Sequence, residues 1–292
     1  MAKITVVIIT YKRPLEILMR AVKSVIYQTY TDWKLYVVND APDEITLGAD
    51  IKEALESFSD ERISYLTYER NRGSNYARNY GLKYSSSEFI AFLDDDDEWL
   101  PYKLEKQLNV IEKENSVALV SCGFFLNTNG KVSGEKRTFP DKDKSLRSLL
   151  VGNYIGGTSF PLLRRSAVIE VGGFDEEMQS CQEYDLWLRL RFKYQFRTVN
   201  EPLGIYYISA DSIYKKSQKR FYQGDKRILE KYQDKRSMDK KAYNIHLNDM
   251  AYNFLISKDY SYYREYKLLA LKTRVLSLAN FTMLYKLLSK LK

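Results

Sequence analysis

The apolar run Phe89-Ile90-Ala91-Phe92-Leu93 passes without a break into four consecutive carboxylates, Asp94-Asp95-Asp96-Asp97. A buried strand that ends in a cluster of like charge leaves few folds open. Carboxylates side by side raise one another's pKa unless a counter-charge holds them ionised. A hard divalent cation with oxygen ligands, Mg²⁺ or Mn²⁺, meets that need. Acidic runs are ordinarily solvated surface. This one lies at the carboxyl end of an apolar strand, where open α/β sheets bind ligands, and Trp99-Leu100-Pro101 follow as if opening a helix.

The rest of the first half fits such a sheet. Short apolar runs alternate with helical patterns, the signature of βαβ units. The pattern predicts strands at 3–9, 34–38, 63–67, 89–93 and 117–125, with helices at 15–28, 49–58, 75–84 and 101–114. Val6-Val7-Ile8-Ile9 does not alternate, so its strand is covered on both faces and belongs in the sheet centre. The stretch 127–144, rich in Asn, Gly, Lys and Asp, reads as a long loop or lid. A strand at 155–163, a turn at Gly172-Gly173-Phe174-Asp175 after a short helix, a helix at 183–192 and a last strand at 204–208 complete this part. From Ile213 onward there is no proline and one glycine, Gly224, which is helical composition. Tyrosines recur there, and their rings are expected between helices with hydroxyls in water.

With 292 residues, the chain has room for one main domain and an appendage. No apolar stretch approaches the roughly 18 residues of a spanning helix, and the apolar start Ile4 to Thr10 reads as a strand rather than a signal peptide. Two cysteines, Cys122 and Cys181, are too few for a disulfide framework and point to a reducing cytosol. The single histidine, His246, excludes His-rich zinc sites and leaves acid–base work to carboxylates. The net charge of +8 is unevenly spread: 211–292 carries 19 Lys/Arg against 8 Asp/Glu, while 1–210 is slightly acidic. An anionic acceptor, an anionic membrane surface or a dimer interface are the uses open to that basic segment. No recognised nucleic-acid motif accompanies it.

Seven segments, in order, resemble glycosyltransferase family 2: 7–14 (VIITYKRP), Val37-Val38-Asn39-Asp40, Asn71-x-Gly73, Ala77-Arg78-Asn79-x-Gly81, Phe92 to Asp97, Gly173-Phe174-Asp175-Glu176 and Gln182 to Trp187. The resemblance covers roughly residues 3–213. It implies a GT-A fold, a Rossmann-like, mostly parallel sheet flanked by helices, with a C-terminal helical extension. The expected division is 1–212, with nucleotide-sugar binding in 1–100 and acceptor binding in 101–212, followed by a basic, Tyr-rich helical region at 213–292.

The activity implied is inverting transfer from a nucleotide-sugar, a UDP-sugar first, to a glycan, lipid-linked saccharide or cell-envelope polymer. By that resemblance Thr10, Tyr11, Arg13, Asp40, Asn71, Arg78, Asp94 and Asp95 bind the nucleotide-sugar, and Asp40 accepts the N3–H of uracil. Asp96, with Asp94, holds Mn²⁺ or Mg²⁺, and the base is Glu183 or Asp185. Two departures stand out. Glu183 replaces the family's catalytic aspartate, and Tyr207 and Ser209 replace the Arg and His of a frequent Y-R-x-H run, with Asp211 as a possible substitute ligand. The competing readings are an inactive scaffold of the same fold and a nucleotidyltransferase, whose early Gly-rich basic loop is missing. The expected location is cytoplasmic, at the inner face of the cell membrane.

Overall fold

The structure, a computed structural model, describes residues 1–137, 146–208, 218–232, 234, 239–256 and 258–273. Strand β1 (Ile4–Thr10) lies between β2 (Trp33–Asn39) and β4 (Phe89–Asp94), with β3 (Ile63–Thr67) beyond β2, all parallel. Val6, Val7 and Ile8 are fully buried, as a strand covered on both faces requires. The register pairs Ile9 with Asp94 and Thr10 with Asn39, so β1, β2 and β4 finish level at one edge. That edge gathers Thr10, Asp40 and the acidic turn.

Helices cover both faces. Pro14, whose ring fixes φ, precedes α1 (Leu15–Ile26), which buries Leu18, Ala21, Val22 and Val25 at helical spacing. α2 (Ile45–Glu56) turns Ile51 and Leu55 inward. α3 (Ser74–Tyr84) lies close on β1, because a Cβ on Gly81 would meet Val7 Cγ1 at 2.5 Å. α4 (Lys103–Ile111) follows a two-residue strand, β5 (Glu98–Trp99), so the residues after the acidic turn form a strand before the helix begins.

The second half mixes directions. β6 (Val117–Thr128) and β9 (Gln195–Ile208) run parallel, while β8 (Leu162–Arg164) is antiparallel to both β4 and β6. The strand order is β3-β2-β1-β4-β8-β6-β9-β5, with β7 (Lys131–Arg137) paired to β6. Three expectations need correction. The strand at 155–163 is reduced to β8, since 155–161 forms a turn in which Gly156 has φ 87°. The last strand begins nine residues early, at Gln195. Much of the expected loop at 127–144 is a hairpin, whose turn Asn129-Gly130 has φ 53° and 82°. Asn-Gly between strands is a strong hairpin signal, because both positions need positive φ. α6 (Arg165–Glu170) and α7 (Gln182–Arg191) bracket the Gly172-Gly173 turn.

The chain falls into two compact units, 1–144 with 155–224, and 145–154 with 225–292. α8 (Gln218–Lys231) runs across that boundary. The second unit contains α5 (Leu146–Val151), α9 (Lys240–Ile256) and α10 (Tyr260–Lys272). His246 fastens it from the inside: its Nε2 faces Asp225 Oδ2 at 2.9 Å and its Nδ1 faces the Val151 carbonyl at 2.6 Å. The lone histidine is thus a core residue here. Tyr266 departs from the expected wet hydroxyls, since it is 1% exposed and burial pushes its pKa up. The Leu-rich stretch after Thr273, with Ser209 and Asp211, lies outside the described residues.

Candidate functional site

The four-aspartate turn closes on itself and on its neighbours. The Asp97 N–H donates to the Asp94 carbonyl at 3.1 Å. Ser159 Oγ accepts from the Asp94 N–H at 3.1 Å and donates to Asp97 Oδ2 at 2.5 Å. Trp99 Nε1 donates to the Ser159 carbonyl at 2.6 Å, and the Tyr207 N–H to Asp97 Oδ1 at 3.2 Å. Asp97 is 1% exposed, and burial, with Asp94 and Asp96 nearby, pushes its pKa well up. It is a structural pin for the turn. Burial also pushes Asp95 up to about 6, against the pull of Arg13. Partial burial and Asp94 raise Asp96, whose side chain is 40% exposed.

Three guanidiniums supply the counter-charge. Arg13, between β1 and α1, donates through Nε to Asp95 Oδ1 at 2.8 Å and through Nη2 to Asp96 Oδ2 at 3.0 Å. Arg20, from α1, donates to the Asp96 carbonyl at 2.5 Å and lies 3.6 Å from the centre of the Tyr207 ring. Tyr207 in turn donates to Glu98 Oε2 at 2.7 Å. Arg78, from α3, donates to Asp94 Oδ1 at 2.9 Å, which also accepts from Thr158 Oγ1 at 2.9 Å.

At the β2 end, Asp40 is 4% exposed and highly organised. Its Oδ1 accepts from Tyr68 Oη at 2.7 Å, the Arg72 N–H at 2.8 Å and the Gly73 N–H at 3.3 Å. Gly73 has φ 85°, which lets the chain wrap the carboxylate. Asn71 Nδ2 donates to the Asp40 carbonyl at 2.7 Å. Oδ2 is bonded to none of the described residues, so an acceptor remains for an N–H donor. Burial and the Asp40 hydrogen bond push the Tyr68 phenol far up. Thr10 is buried beside this corner and Tyr11 is 53% exposed at its rim.

Across the edge, α3 grips the turn before α7. Asn75 Nδ2 donates to the Asp175 and Met178 carbonyls at 2.7 and 2.9 Å. Asn79 exchanges bonds with the Phe174 backbone at 2.9 and 2.8 Å, and a Cβ on Gly173 would meet Asn79 Oδ1 at 2.6 Å. Ser74 Oγ and Arg78 Nη1 both donate to Gln182 Oε1, at 3.0 and 3.2 Å. Glu183 follows on the first turn of α7. Burial pushes its carboxyl up, Arg78 opposes this and Asp94 adds to it. Asp185 points elsewhere: it is fully buried and Oδ2 accepts from Arg189 Nη2 and Nε at 2.6 and 2.9 Å.

The structure thus brings Thr10, Arg13, Arg78 and Asp94 to Asp96 together with Glu183, sets Asp40 and Asn71 at the adjoining corner, and turns Asp185 inward. Among the described residues no group of three or more His, Cys, Asp or Glu side chains forms a metal cage. Asp94 and Asp96 nevertheless fit Mg²⁺ or Mn²⁺, which are held by one or two carboxylates together with substrate phosphates. Sequence reasoning missed Arg20 and Tyr68, which lie in no motif. Only the fold carries them to the acidic turn and to Asp40.

The profile described as Glycosyl transferase family 2 matches residues 5–172. An Escherichia coli protein named UDP-Glc:alpha-D-GlcNAc-diphosphoundecaprenol beta-1,3-glucosyltransferase WfgD is 32% identical over 170 residues, 58% of this chain and 62% of its own length. Among solved structures, S. aureus TarS 1-349 in complex with UDP-GlcNAc aligns with TM-score 0.60 at 17% identity, covering 74% of this chain and 61% of that one. Mannosyltransferase PcManGT from Pyrobaculum calidifontis, in complex with GDP-Man and Mn2+, aligns with TM-score 0.57 at 15% identity, covering 73% and 59%. These likenesses place the fold among GT-A glycosyltransferases.

Proposed function

Because the chain belongs to glycosyl transferase family 2 and is a glycosyltransferase of the GT-A fold, we propose that it moves a hexosyl or N-acetylhexosaminyl group from a UDP-sugar to a hydroxyl, with inversion. The observation that carries this reading is the meeting, at one sheet edge, of an acidic turn, a base-reading carboxylate and a second, partly desolvated carboxylate across Arg78.

Asp40 Oδ2 receives the N3–H of uracil, held in place by Tyr68, Asn71 and the 72–73 backbone. Tyr11 covers the base and Thr10 lines its floor. Asp94 or Asp95 touches the ribose or a metal-bound water, and Arg13 and Arg78 are the cations toward the phosphates. Asp96, with Asp94, holds Mn²⁺ or Mg²⁺, which when bound offsets charge on the departing diphosphate. Glu183 takes the proton from the acceptor hydroxyl as that oxygen attacks the anomeric carbon from the side opposite the nucleotide. Its raised pKa suits a base better than that of an ordinary surface carboxylate. Asp185 then holds Arg189, whose Nη1 donates to the Val171 carbonyl and ties α7 to the turn before it.

The acceptor we assign is a lipid-linked saccharide or anionic envelope polymer at the inner face of the membrane. Two observations support it. The relative WfgD is named for a diphosphoundecaprenol-linked acceptor, and the basic segment 211–292 includes α10, where Leu268 and Leu271 are 58% and 59% exposed beside Arg264 and Lys272. No helix of the described residues is long and apolar enough to cross a membrane.

The test is a thermal-shift and product-release panel of UDP-, GDP- and dTDP-sugars, each with Mn²⁺, Mg²⁺ or EDTA. Metal-dependent stabilisation by UDP and slow UDP release from one UDP-sugar are expected. Asp96→Ala is expected to abolish transfer in a folded protein, and unaltered turnover would remove the metal assignment.

A further inference from the structure

A guanidinium already sits at one of the carboxylates assigned to the metal, Asp96. Arg13 bridges that carboxylate, Asp96 Oδ2 at 3.0 Å, and its neighbour Asp95 Oδ1 at 2.8 Å. Arg78 and Thr158 take Asp94 Oδ1, and Arg20 takes the Asp96 carbonyl. Of these contacts, the one between Arg13 and Asp96 is the most exposed, with side chains 32% and 40% accessible. Arg13 also sits on the short link between Thr10 and Pro14, outside any regular element. It can therefore swing without breaking a ladder or a helix.

We propose that Arg13 is a resident counter-ion which competes with the divalent cation for Asp96 and is released to the donor's diphosphate, so that metal and nucleotide bind cooperatively. This rests on the metal-dependent reading above. A guanidinium and a dication repel each other, so a cation entering at Asp96 without nucleotide must break the Arg13–Asp96 contact and leave Arg13 beside a dication with only Asp95 to offset its charge. When a nucleoside diphosphate enters with the cation, its oxygens give Arg13 a new partner. The same linkage read backwards says that the cation raises nucleotide affinity by the factor by which nucleotide raises cation affinity.

The experiment counts free Mn²⁺ by its electron paramagnetic resonance signal, in titrations of wild type, Arg13→Gln and Lys12→Gln with and without UDP. Lys12 pairs with Glu44 and with no residue of the acidic turn, so its variant removes the same charge next door. In wild type UDP is expected to tighten Mn²⁺ binding by about tenfold or more, within the usual range for coupled sites. Arg13→Gln is expected to bind Mn²⁺ alone several-fold more tightly and to lose most of the UDP enhancement, while Lys12→Gln behaves as wild type. If UDP tightens Mn²⁺ binding but Arg13→Gln leaves both affinity and enhancement unchanged, or if Lys12→Gln has the same effect, the inference is overturned and the metal-dependent reading survives. If no protein binds Mn²⁺ with UDP present, the reading itself falls and the inference with it. Circular dichroism and melting temperature confirm that each variant is folded.

Discussion

Arg78 ties Asp94 to Gln182: one guanidinium donates to Asp94 Oδ1 at 2.9 Å and to Gln182 Oε1 at 3.2 Å. The end of β4 and the start of α7 are thereby fixed to each other through a side chain that is 8% exposed. A neutral glutamine at position 182 leaves the positive charge to Asp94. Arg78→Met removes both bonds and leaves the Asp94 carboxylate to the Thr158 hydroxyl, at a cost of about 2 kcal/mol in stability by the usual worth of hydrogen bonds to charged groups. Arg78→Lys keeps the charge but not the fork, and is expected to fall between the two in denaturant midpoint and in kcat/KM.

Glu183→Gln separates chemistry from stability. If Glu183 is the base, transfer should drop about 10²- to 10⁴-fold. Its folded pKa is raised above the ordinary 4.5 by burial, so the fold favours the protonated form and loses stability as pH rises through that pKa. A neutral amide escapes that cost, and the melting temperature at pH 7 should be equal or higher. The acid limb of kcat/KM in wild type should lie above pH 4.5. A variant that keeps turnover removes Glu183 from the mechanism.

Asp185→Asn makes the opposite prediction. Its carboxylate is fully buried and bound twice by Arg189, so losing the charge leaves a guanidinium poorly paired. A loss of roughly 2–4 kcal/mol is expected for breaking one side of a buried pair, read as a lower urea midpoint. The fraction that stays folded should retain wild-type kcat.

Tyr68→Phe tests the nucleotide corner. The phenol contributes one of three hydrogen bonds to Asp40 Oδ1, worth about 1 kcal/mol or up to about tenfold in UDP affinity. Calorimetry should find weaker UDP binding with little change in kcat. UDP methylated at N3 should bind wild type poorly, and equal affinity for both nucleotides would deny Asp40 its role.

What the sequence revealed follows from how locally each feature is written. The βαβ half was legible because burial on both faces leaves an unbroken apolar run, as at Val6-Val7-Ile8, and each helix carries its own periodicity. The second half was less so, because β8 is three residues long and its register with β4 and β6 is set by distant partners. The acidic turn, Asp40, Arg78 and Glu183 stood in motifs. Arg20 and Tyr68 did not, since each is one polar residue on an otherwise ordinary element until folding brings it to Asp96 and Asp40. Asp185 and Glu183 could not be told apart by spacing. Two residues along a helix point about 200° apart; Asp185 shares a face with Arg189 by its i,i+4 spacing, but which of the two faces is buried is decided by packing.

Gly81 is the position where the fold depends on having no side chain. A Cβ at this position would meet Val7 Cγ1 at 2.5 Å and Cγ2 at 2.8 Å, and Val7 is fully buried in the central strand. Gly81→Ala must push α3 off β1, and overpacking of this kind costs about 1–3 kcal/mol, more than the helix-propensity gain of up to about 1 kcal/mol. Because Arg78 lies one turn earlier on the same helix, the shift should also weaken UDP binding. Val7→Ala removes the colliding methyls but leaves a cavity of its own. The double variant is therefore expected to be more stable than the sum of the two single losses predicts, a favourable coupling that a thermodynamic cycle of urea midpoints can measure. Strict additivity would mean that the helix already stands clear of the strand.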